Sequence, residues 1–67
     1  MPHYRCYCLS ADPKILAVAE ATHADDTGAI QWAELVLALG DHKDCQSIEL
    51  WRDGRYVHSA KRREAAT

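Results

Sequence analysis

The chain is defined first by what it lacks. Its longest apolar stretches fall well short of the ~18 residues that span a bilayer, which excludes a helical membrane anchor within this sequence. It has no excess of one charge: eight Lys and Arg against ten Asp and Glu leave a net charge of −2, so the overall field expected of a non-specific nucleic-acid or membrane binder is missing. No internal repeat, linker or low-complexity segment divides its 67 residues, which make one domain. The opening M-P-H-Y-R-C-Y-C-L has no apolar core of signal-peptide type, and the expectation is a cytoplasmic protein. Three cysteines, Cys6, Cys8 and Cys45, are an odd number without an export signal, so free thiols are expected rather than a disulfide framework. A domain this short buries little of its surface and often needs a staple or a partner. With disulfides set aside, association is the expected source of extra stability.

The most informative stretch present is Asp25 to Gly40. At about 100° per residue, Leu35, Leu39, Trp32, Val36, Ala29, Ala33, Leu37 and Ile30 fill an arc of roughly 220°, leaving Gln31, Ala38 and Glu34 as the opposite strip. A helix lying on one sheet needs an apolar stripe of ~100° or somewhat more. Trp32, Leu35 and Leu39 are therefore the surplus. Asp25, Asp26 and Thr27 supply the amino-terminal cap and the carboxylates that suit the positive end of the helix dipole. Gly40 supplies the stop, expected in the left-handed conformation, and Asp41 to Asp44 the polar loop after it.

Strands flank the helix on both sides. Tyr4 to Leu9 alternate, with Tyr4, Cys6 and Cys8 on the face expected in the core and Arg5, Tyr7 and Leu9 on the wet face. Asp12-Pro13 marks a turn. Ile15 to His23 reads as the hairpin partner, with Leu16 and Val18 expected to point inward, although its alanines also suit a helix. Ser47 to Arg52 alternates with Ile48 and Leu50 inward, Asp53-Gly54 is a type I′ hairpin signal, and Arg55 to Ser59 returns beside it. Residues 1–60 thus read as an α+β domain of order ββαββ, a four-stranded antiparallel sheet with one helix packed on one face, and residues 61–67 as a flexible basic tail.

The segments Y-R-C-Y-C-L at 4–9, A-D-D at 24–26 and I-E-L-W-R-D-G-R at 48–55 resemble the pattern of short uncharacterised bacterial proteins grouped as a domain of unknown function. The likeness runs over nearly the whole length, departing at Cys8 where the pattern has an aromatic residue. It implies the ββαββ fold and brings no activity with it.

Three chemistries have candidate residues in the chain. His3, Cys6 and Cys8, completed by His42 and Cys45, have the donor types for zinc, but C-x-C on a strand is not the C-x-x-C knuckle around a turn, and buried Cys commonly serves as a small hydrophobe. Catalysis finds nucleophiles in Cys45 and Ser47 and bases in His23, His42 and His58, yet no nucleophile elbow, phosphate loop or paired-carboxylate site. An open sheet face carrying Arg5, Tyr7, Glu49, Trp51, Tyr56 and His58 is similar to the stacking platforms of single-stranded RNA binders, with Lys61, Arg62 and Arg63 nearby. The net charge, the central glutamate and the absence of aromatic-rich RNA-binding strings argue against it. The expectation is therefore a non-enzymatic protein-protein interaction module, with no cofactor and no membrane contact, that forms a homodimer. Its contact residues are expected among Trp32, Leu35 and Leu39 of the helix or Tyr7, Trp51 and Tyr56 of the sheet, since Trp and Tyr are the commonest interface anchors.

Overall fold

Alternation of apolar and polar residues makes strands on both sides of a capped helix, and a computed structural model, describing residues 1–12, 14–40 and 44–62, gives their arrangement. The elements are β1 (His3–Leu9), β2 (Ile15–Thr22), α1 (Asp26–Leu39), β3 (Ser47–Arg52) and β4 (Arg55–Lys61). All neighbouring strands are antiparallel, in the order β2-β1-β3-β4, with α1 on one face. This is the α+β fold of order ββαββ expected from the sequence. β2 and β4 are the two edges.

The core forms where the inward set of the central strands meets the helix. Tyr4, Cys6 and Cys8 of β1 and Ile48 and Leu50 of β3 are buried against Ala29, Ala33 and Leu37 of α1, with Cys45 beside them. Alanines at two of the three helix positions let the backbone of α1 approach the sheet closely. The helix lies over β3 and β4 and reaches β1, leaving β2 at its margin. Asp25 caps it by accepting from the Gly28 amide at 2.9 Å. Asp26, one residue on, accepts from the buried Tyr4 hydroxyl at 2.6 Å and from Arg52 at 3.3 Å, which ties the helix start to β1 and β3.

Several expectations need correction. On β2 it is Ala17 and Ala19 that pack against the core, while Leu16 and Val18 are 40% and 47% exposed. The cause is register: Cys6 lies opposite Ala19 and Cys8 opposite Ala17, and side chains that alternate with period two then turn Val18 to the other face. A bulge between Cys8 and Leu9 leaves Leu16 without a partner. Gly40 is not left-handed, having φ −67° and ψ 156°; its amide donates to the Val36 carbonyl, and an added Cβ would collide with that same oxygen. β4 runs to Lys61, past the expected end at Ser59, so the first tail residue is a strand residue. Arg62 is held as well, its amide donating to Gln46 and its guanidinium to the carbonyls of Cys45 and Leu37. Residues 63–67 lie outside the described residues. Asp53 and Gly54, at φ 49° and 81°, form the expected type I′ turn.

Candidate interaction surfaces

The surplus helix flank is partly used within the domain. Trp32 is half-buried, its ring 5.0 Å from that of His23, which in turn meets Tyr4 edge-on at 5.8 Å. Trp32 is therefore not left over as expected, because the imidazole that follows β2 covers it. Leu35 and Leu39 remain uncovered, 56% and 75% exposed. One turn apart, they form a single apolar ridge. Glu34 faces β4, where His58 Nε2 lies 3.3 Å from its carboxylate, so the ridge on the other flank overlooks the β1–β2 half of the sheet. No sequence signal distinguished Trp32 from its leucine neighbours. The partner, His23, sits beyond the strand and declares itself only in three dimensions. Its Nε2 is buried without a hydrogen-bond partner among the described residues.

The second surface is the open sheet face. Trp51 and Tyr56 stand edge-to-face at 5.6 Å, Trp51 Nε1 donates to Glu49 at 3.2 Å, and Tyr7 lies on the same side opposite Glu49. Cross-strand aromatic pairs of this kind stiffen a sheet by roughly 0.2 to 1 kcal/mol. His58 does not belong here: it pairs with Leu50 and faces the helix, since the shift between Leu50 and Trp51 inserts Val57 and flips the remainder of β4. Arg5 is engaged by Glu20 at 3.4 Å, and Glu20 also meets His3 at 2.7 Å. Glu20 is held below the usual carboxylate range, first by the His3 hydrogen bond and then by the charge of Arg5. Arg5 is paired in this way and Arg62 is bound to carbonyls, so both of these arginines already have partners.

The zinc-type donors do not converge as a set. Cys6, Cys8 and Cys45 lie together in the core, Cys45 with its thiol 3.4 Å from the Ser47 carbonyl, whereas His3 points to the opposite, open face. His42 lies outside the described residues. Among the described residues no group of three or more His, Cys, Asp or Glu side chains could hold a metal ion. Burial pushes the Cys6 thiol up to about 11 and the Cys8 thiol up to about 12, with Cys45 adding to both. Such thiols stay protonated at neutral pH and behave as small hydrophobes. No described helix is long and apolar enough to cross a membrane. In comparisons with known proteins, no family model, curated protein or solved structure matches the chain.

Proposed function

We propose that the chain is a small, cytoplasmic, non-enzymatic interaction module whose first partner is a second copy of itself. The reading includes kinship with the short bacterial proteins whose pattern its strands resemble. One observation carries it: Leu35 and Leu39 project from a well-capped helix with most of their surface in water, beside a sheet margin that the helix does not cover. Burying the surface that these two leucines still expose contributes on the order of 1 to 2 kcal/mol each, a large term for a domain of this size. Homodimerisation doubles such a contact by symmetry.

The test is sedimentation from micromolar to near-millimolar concentration. A concentration-dependent dimer is expected, and Leu35→Glu should weaken it by at least ~10-fold while leaving the circular dichroism unchanged. A monomer throughout that range defeats the reading. Should Trp51→Glu dissociate the dimer and Leu35→Glu leave it intact, the contact lies on the open sheet face instead.

A further inference from the structure

We infer that the seam of this dimer is the outer edge of β2, paired antiparallel with β2 of the second copy about a two-fold axis normal to the sheet. The inference rests on the self-association just proposed. Among the described residues nothing pairs with that edge, since β2 ends the sheet order. Its sequence, I-L-A-V-A-E-A-T, has few of the usual guards: a bulge only at its start, no proline, no lysine, and a single charge at Glu20, already met by His3 and Arg5.

The backbone direction follows from one bond. The His23 amide donates to the Pro2 carbonyl at 3.3 Å, so with Thr22 opposite His3 the odd-numbered residues of β2 bond inward to β1. Val18, Glu20 and Thr22 then direct their amides and carbonyls outward. A two-fold axis centred on residue c sets residue i against residue 2c − i of the other copy, so within the stretch after the Leu16 bulge even numbers meet even numbers and outward groups meet outward groups.

Charge is compatible with the same symmetry. Centring on Ala19 keeps the partners of Val18 and Glu20 within the stretch after the bulge and places Glu20 opposite Val18 of the second copy rather than opposite another Glu20. An axis normal to the sheet keeps both helices on one face. The helix flanks that carry Leu35 and Leu39 would then both be on the side turned toward the seam, with Ala17, Ala19 and Ala21 of each copy between them. A β-ribbon seam alone is small, which suits a dimer that forms toward the upper end of the concentration range.

Amide hydrogen exchange resolved by residue, read beside sedimentation, decides the matter. In the wild-type protein the Val18 and Glu20 amides should gain at least ~10-fold protection between dilute monomer and concentrated dimer, while those of Ala17, Ala19 and Ala21 stay protected at both. Val18→Pro removes an outward amide and leaves the β1 ladder intact, and it should weaken dimerisation by ~10-fold or more. Equal exchange of Val18 and Glu20 in monomer and dimer overturns the seam while self-association stands. A Val18→Pro protein that dimerises as well as the wild type does the same. A protein that never dimerises removes both.

Discussion

The two edges of the sheet are built in opposite ways. β4 carries Arg55 and Lys61 at its ends, is bent by the bulge at Val57, lies under the helix through His58 and Ala60, and runs into Arg62, which is bound to three backbone carbonyls. Charge, bulge and cover are the devices by which natural sheets block edge-to-edge association. β2 has its bulge only at its start, one neutralised charge, and no helix above it. The helix is responsible for the asymmetry. Its anchor, Asp26, is fixed by Tyr4 and Arg52 over the β1–β3 centre, and from there the axis runs toward β4. A protein needing two closed edges would have centred the helix or charged β2. Among the described residues this one closes one edge and leaves the other unpaired.

The largest effect that sharpens the contrast is in packing. Ile48 is fully buried beneath the helix, and Ile48→Ala should cost roughly 2 to 5 kcal/mol through lost burial and the cavity left behind. Val18→Ala on the open edge, measured at concentrations too low for dimer, should fall within about 0.5 kcal/mol of the wild type. Urea unfolding of both variants makes the check. Comparable losses at the two sites would mean that the β2 edge is packed within the monomer after all.

That contrast also shows what could be read from the residues alone. Helix, strands, hairpin and the inward face of β1 and β3 were legible because alternation, Asp25, Asp53-Gly54 and the alanine-rich helix face each have a local cause. The inward face of β2 was not. Choosing Leu16 and Val18 over the alanines assumes that larger apolar residues go inside, and this fails on a strand with no helix above it to demand large side chains. The positions of Leu16 and His58 were equally hidden, because both follow from bulges, which shift the period by one residue without a reliable mark in the sequence. Of the surface residues, Leu35 and Leu39 were legible as surplus. Trp32 was not, since its cover comes from His23, nine positions away and past the end of β2.

A smaller effect tests the guarded side. Gly54 holds φ 81° in the turn before β4, and nothing lies near the position of an added Cβ. Gly54→Ala should therefore cost only the conformational strain, roughly 1 to 2 kcal/mol, and loosen the β3–β4 hairpin. Faster exchange of the β4 amides, with β2 unchanged, is the expected signature. If the β2 amides were released to the same degree, the two edges would open as one cooperative unit and the asymmetry would be one of chemistry only.

The smallest effect lies in the pH dependence, and it bears on the anchor that sets the helix off-centre. Asp26 is held below the ordinary carboxylate value, first by the Tyr4 hydrogen bond and then by Arg52, while Tyr4 is raised by burial and then by Asp26. Since the folded value is the lower one, the unfolded chain takes up a proton in an interval where the folded chain does not. Asp26 therefore stabilises the fold fully above the ordinary value of about 3.9, and the contribution is lost as pH falls through the folded value. Half of the Asp26 side chain is in water, which keeps this contribution modest and sensitive to salt. Asp26→Asn should lower the melting temperature at pH 7 and flatten its fall below pH 4, with Glu20 and Asp12 titrating alike in both proteins and cancelling from the difference. Parallel melting curves for the two proteins from pH 7 to pH 3 would mean that the Tyr4–Asp26–Arg52 contact does not fix the helix, and the uncovered β2 edge would then need another cause.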